Sequence, residues 1–233
     1  MSSATPNSAP VLRQLLESAD EFDRAGQKDS ALSAAIQAFV ALQKQNDVGF
    51  VLSAKVAQAF LLRFRELRGF AASLPAIVVA AQVLDTALAS DRSINDSYDS
   101  GLMLLAQLHA IAGHTVRGAS SSVLHYQKAA GVLEVHRDLR LRIDGPKGSL
   151  ELATTLTELA SVLLLLNRHS DSLSVATESM SFLRGLPKEA VPITKMKSNL
   201  ETLLFCFENN GSQSEAQATA SLLGEVTQWM NDI

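Results

Sequence analysis

The chain has 233 residues, of which 47% are hydrophobic and 5% aromatic, and 20 basic against 24 acidic side chains give a net charge of −4. That balance offers no clustered positive field for binding duplex nucleic acid through its phosphates. The one cysteine, Cys206, excludes an intrachain disulfide and points to a reducing compartment. The apolar content is mainly Ala, Leu and Val, and only six prolines interrupt it, which favours close-packed helices over a sheet.

In chain order, residues 1–9 are polar, with neither a basic start nor an apolar run behind it. They are expected to be a disordered tail, not a secretory signal, ahead of a single helical domain over 10–233. Two helices are predicted over 10–27 and 29–45. Leu12, Leu15, Leu16, Ala19 and Phe22 form one stripe; Ala31, Ala34, Ala35, Ala38 and Leu42 form the next. Between them Gly26 supplies a left-handed helix stop, and Asp29 or Ser30 is the expected cap of the second helix. A connection this short makes the two helices antiparallel neighbours. Facing alanines at Ala19, Ala31 and Ala38 let their backbones approach closely.

The same grammar returns four times. The second hairpin breaks at Gly69, with Ser73 and Pro75 expected to open its second helix. The third is expected to break at Gly113. The fourth breaks at Asn167, with Ser172 and Ser179 in the places of Ala31 and Ala38. The fifth breaks at Gly211, with Ser212 and Glu215 as a capping box. The breaks are spaced by about 43, 44, 54 and 44 residues, and the extra length sits in LRLRIDGPKGS before the fourth unit. The most apolar run, Leu74 to Leu84, is by itself too short to span a bilayer.

Leu15, Ala19, Phe22, Gly26, Ala31 and Ala38 make this pattern resemble the tetratricopeptide repeat (TPR) family. The low-forties spacing departs from the usual period of about 34 residues towards kinesin-light-chain-like repeats. The resemblance implies an all-α, right-handed α-solenoid of about five antiparallel helical hairpins. The alternative is a single globular α-bundle. The resemblance also implies that the first helix of each hairpin lines a concave groove. Arg13, Glu17 and Asp20 would stand at one end, followed by Lys55, Gln58 and Leu62, then Met103, Leu104, Gln107 and Ile111. Glu158, Ser161 and Leu165 come next, and Glu201, Phe205 and Glu208 close the other end. Such a groove, apolar in the middle and acidic at its ends, suits a peptide or amphipathic helix with basic flanks. Leu104, Ile111 and Leu165 are equally readable as core. Leu16 and Asp20 occupy positions where family members that clamp C-terminal carboxylates carry a Lys and an Asn, so that clamp is not expected.

No catalytic constellation emerges. The five histidines form no ligand-spaced pair, Cys206 sits between Phe205 and Phe207, and no glycine-rich phosphate loop occurs. No enzyme activity, metal or cofactor is expected. Glu17, Asp20, Glu21 and Asp23 read as a solvated acidic face. The segment 136–147 carries His136, Arg137, Arg140, Arg142 and Lys147. It reads as cations near a helix C-terminus running into a loop, or alternatively as an RNA contact. On the last helix, Leu222, Val226, Trp229 and Ile233 form a second apolar stripe that nothing later in the chain covers. It reads as an interface with another chain, or as a stripe folded inward. The expected class is therefore a non-enzymatic interaction scaffold or adaptor, a subunit of a larger assembly or a homodimer. Its expected place is the cytoplasm, with the nucleus as alternative. No membrane insertion is expected.

Overall fold

The structure, a computed structural model, describes residues 9–45, 48–91, 94–115, 120–145, 148–186 and 193–231. Among them are ten α-helices, one short 3-10 turn at Asp96–Tyr98, and no strand. The helices are α1 (Ala9–Arg24), α2 (Lys28–Gln43), α3 (Phe50–Arg68), α4 (Phe70–Ser90), α5 (Asp99–Thr115), α6 (Ser120–Asp144), α7 (Leu150–Leu165), α8 (His169–Gly185), α9 (Ile193–Asn209) and α10 (Gln213–Asn231).

The chain divides into two compact units, Met1–Arg117 and Gly118–Ile233. In the first, each helix packs on the next from α1 to α5, and α3 also touches both α1 and α5. The odd-numbered helices therefore form one layer and α2 and α4 the other. In the second unit α6 to α10 pack in the same serial way, and α7 touches α9. Each unit holds two antiparallel hairpins, α1/α2 with α3/α4 and α7/α8 with α9/α10. Helix α5 belongs to the first unit and α6 to the second.

Three hairpins turn by one device. Gly26, Asn167 and Gly211 adopt φ of 74°, 58° and 72°. At each, the following N–H reaches back five residues (Gln27 to Phe22 O, Arg168 to Leu163 O, Ser212 to Phe207 O). The turn residue's own N–H reaches back three. This is the Schellman closure, which satisfies the last helical carbonyls. Because that closure sets where α2 begins, its first helical bond is Ala31 N–H to Gln27 O. Gln27 is the N-cap and makes no side-chain cap bond, so neither Asp29 nor Ser30 caps α2.

Two further expectations are corrected. Gly113 is not a break: it is buried inside α5, which continues to Thr115. Ser73 and Pro75 do not open α4, which starts at Phe70 directly after Gly69. Pro75 lies in its second turn, and the Ser73 hydroxyl donates to Phe70 O at 2.6 Å.

Small residues set the helix spacing. Ala19, Ala31, Ala35 and Ala38 are fully buried between α1 and α2. Between α7 and α8 the serines do more than fill space. Ser172 Oγ donates to Ala160 O at 2.7 Å, and Ser179 Oγ to Ala153 O at 2.8 Å. Thr157 Oγ1 lies 2.9 Å from Ser179 Oγ. A buried hydroxyl needs such a partner, and a neighbouring helix backbone in close approach supplies it.

Taken whole, α4 is 21 residues long and apolar enough to cross a membrane by length and composition, which the run Leu74 to Leu84 alone is not. Ser73, Ile77, Ala80, Ala81, Leu84 and Ala87 are buried, and Asp85 Oδ1 is 2.9 Å from His109 Nε2 on α5. Those are the contacts of a helix packed between α3 and α5.

Candidate partner-binding surface

The surface is built first on α3. Lys55, Gln58 and Leu62 follow one another at helical spacing and are all exposed, with Leu62 66% accessible. The opposite face of the same helix buries Val56, Ala57, Phe60 and Leu61. On α5, packed against α3, Gln107 is exposed while Met103, Leu104 and Ile111 are half-buried. Helices α3 and α5 thus carry seven of the ten first-unit residues placed in the groove by the family pattern. Glu158 and Leu165 lie on α7 in the second unit, the former half-buried and the latter 36% exposed.

The acidic end of the surface differs from a simple solvated face. Arg63 on α3 is 7% exposed, and its Nη2 lies 2.6 Å from Asp20 Oδ1 and 2.7 Å from Asp23 Oδ2 on α1. Its Nη1 donates to Ala59 O at 3.1 Å. Lys28 adds contacts to Asp23 at 3.5 Å and Glu66 at 3.1 Å, and these carboxylates raise its pKa, the Glu66 hydrogen bond first. Asp20 and Asp23 therefore tie α1 to α3. The sequence signal was present: Val56, Phe60 and Arg63 recur at helical spacing, which puts a guanidinium on a packed face. A buried guanidinium requires carboxylates nearby.

The basic segment is likewise occupied. His136 is buried, with Nδ1 3.0 Å from Thr155 Oγ1. Arg137 pairs with Asp138, and Arg140 with Asp144 at 3.0 Å and Glu151 at 3.5 Å. Helix α6 continues through Asp144, so Arg137, Arg140 and Arg142 are all helical, and Lys147 lies outside the described residues. Asp144 also accepts from Ser149 Oγ, which in turn caps α7 by accepting from Leu152 N–H.

On α10, Val226 is buried in a core cluster with Ala176, Met180, Leu200 and Leu203, and Leu222 packs against that cluster. These two members of the terminal stripe already have cover within their own unit. The Trp229 side chain and Ile233 lie outside the described residues.

For chemistry, no group of three metal-ligating side chains occurs among the described residues. Cys206 is fully buried, and desolvation pushes its thiol up, opposed by the Ser172 hydroxyl. That is the opposite of what activates a nucleophile. His109 is fully buried. The carboxylate beside it, Asp85, comes from a separate helix and was not visible as a spaced motif.

Comparison with known proteins identifies fold alone. No protein-family model matches the chain, and no curated protein does. Among solved structures, BtubC (BKLC) from P. vanneervenii is similar at a TM-score of 0.62 and 13% identity. That match covers 97% of this chain and 83% of the other. A Podosopora anserina kinesin-light-chain-type protein with nearly identical TPR-like repeats matches at 0.61 and 15% identity, covering 97% and 99%. A single-residue variant of it matches at 0.62 and 14%, covering 98% and 100%. The chain is a helical-repeat protein, distantly related in fold to TPR and kinesin-light-chain-like repeats.

Proposed function

We propose that the protein is a non-enzymatic interaction scaffold that holds a peptide or amphipathic helix against the first helices of its hairpins. The observation that carries this reading is Leu62. A large apolar side chain two-thirds exposed, on the odd-numbered helix layer and beside Lys55 and Gln58, loses nothing structural by being covered. Half-buried Met103, Leu104 and Ile111 on the adjoining helix extend the apolar area. Apolar anchors of this kind supply most of the affinity in peptide recognition, and the polar rim sets orientation. The carboxylates around Arg137 and Arg140 weigh against the RNA alternative, since phosphates would have to displace them. A docking role for the last helix rests on Trp229 and Ile233.

The test is capture of partners from native lysate by wild type and by Leu62→Glu, with cross-linking to place the contact. Loss of capture by a variant of unchanged helicity supports the surface on α3. Capture unaltered by Leu62→Glu, Leu104→Glu and Ile111→Glu removes it.

A further inference from the structure

At the edge of the first unit a cavity of about 440 Å³ opens between the start of α1, the start of α3 and the segment after α4. Arg13 comes from α1, Lys55 from α3, and Asn95 and Ser97 from the segment leading into α5. Arg13 and Lys55 are both exposed and have no ion-pair partner among the described residues, whereas Arg63, Arg137 and Arg140 all do. Two cations from separate helices lining one cavity repel each other, and an anion between them removes that repulsion.

The polar groups around them narrow the choice of anion. Asn95 Oδ1 accepts from both Ser97 N–H at 3.0 Å and Ser97 Oγ at 2.6 Å. With its oxygen so used, the Asn95 side chain has its amide NH2 left to donate. Asp91 also lines the cavity, and its Oδ2 is held by Phe50 N–H at 2.9 Å and by the Tyr98 hydroxyl. The first N–H of α3 is thus already taken by a carboxylate, and the helix end is not the binding group. Two positive side chains and one carboxylate leave a net charge of +1. Counted over the described lining residues, that charge matches a monovalent carboxylate better than a dianionic phosphate. Half-buried Val51 and Leu52 also line the cavity and supply an apolar wall for the carbons that carry it.

We infer that this cavity binds a carboxylate of a partner peptide, with Arg13, Lys55 and the Asn95 amide as its donors. The site deepens the scaffold reading and rests on it: it would fix one end of a segment lying across Lys55, Gln58 and Leu62. It differs from a clamp on the helix faces, because its donors come from helix starts and a connecting segment. The shared chemistry is the carboxylate, from an acidic side chain or a chain end.

The experiment is an NMR titration of the full chain with three capped or uncapped pentapeptides of one apolar sequence. One has a central glutamate and both ends capped; one has glutamine and both ends capped; one has glutamine and a free C-terminus. Saturable shifts at the Lys55 and Ser97 amides are expected with at least one carboxylate peptide and not with the fully capped glutamine peptide. Whichever carboxylate peptide acts names the source. Replacing both cations (R13Q with K55Q) should weaken binding at least tenfold, with helicity unchanged because both side chains are exposed. The inference is overturned by equal shifts with the capped glutamine peptide, by none with either carboxylate peptide at millimolar concentration, or by an unaffected double variant. Its failure is separable from that of the scaffold reading: partner capture sensitive to Leu62→Glu but not to R13Q with K55Q sinks the cavity alone.

Discussion

Removing Arg63 should harm the protein less than removing its partners. The guanidinium is 7% exposed, whereas Asp20 is 61% and Asp23 26% exposed. Arg63→Met keeps most of the apolar stem and lets both carboxylates rehydrate, so the loss is about 1 kcal/mol, near that of one ordinary net hydrogen bond. Asp20→Asn with Asp23→Asn strands a desolvated guanidinium whose Nε already has no partner. That should cost about 3 kcal/mol, in the range seen when one side of a buried pair is removed. The triple variant should return to the stability of Arg63→Met, because nothing charged is left buried. Urea unfolding followed by far-UV circular dichroism on all four proteins measures the cycle. An Arg63→Met protein as unstable as the double carboxylate variant would refute the reasoning. It would show that the Arg63 ion pairs stabilise the fold outright, since methionine retains the stem and removes only the guanidinium.

Three further outcomes are expected. Ala38→Leu forces a larger side chain into a fully buried site between α1 and α2 and should cost about 1–3 kcal/mol in the same urea assay. Ser179→Ala keeps the volume but removes the bond to Ala153 O, so about 1 kcal/mol is expected, with Thr157 still bonded to that carbonyl at 2.9 Å. The Tyr98 phenol is pushed up to about 12 by burial and then by Asp91. Its unfolded value is near 10, so the folded state holds the proton longer. The stability this contributes is intact below about pH 10 and is lost as pH rises towards 12. Alkaline urea titrations should show that loss in wild type and a shallower one in Tyr98→Phe.

Packing signals were the legible part of the chain. Gly26, Gly69, Asn167 and Gly211 stand where helices stop, because a left-handed residue leaves a mark in residue type. Gly113 misled because glycine is also used inside helices where another element approaches, and residue type does not separate the two uses. Caps were less legible: backbone closure at Gly26 fixed the start of α2 before Asp29 or Ser30 could. Of the site, Lys55, Gln58 and Leu62 on α3 were named through the family resemblance, and periodicity alone does not single them out. The ion pairs were not legible, because Asp20 and Arg63, like Asp85 and His109, meet across separate helices. The cavity at Arg13 and Lys55 shows least in sequence, since its lining comes from three distant segments.

The contrast between the alanine-lined and serine-lined hairpins has a mechanical consequence. Alanine methyl groups between α1 and α2 present a nearly featureless contact, and sliding one helix along the other by a fraction of a turn breaks no buried hydroxyl bond and disturbs only the partly exposed Lys28–Asp23 ion pair. The hydroxyls of Ser172 and Ser179 each engage one particular carbonyl on α7, so a similar slide breaks both at once. The α7/α8 pair is therefore indexed like teeth on a ratchet, while α1/α2 is a smooth bearing. Under load or on binding, the second unit should hold its register and the first should give.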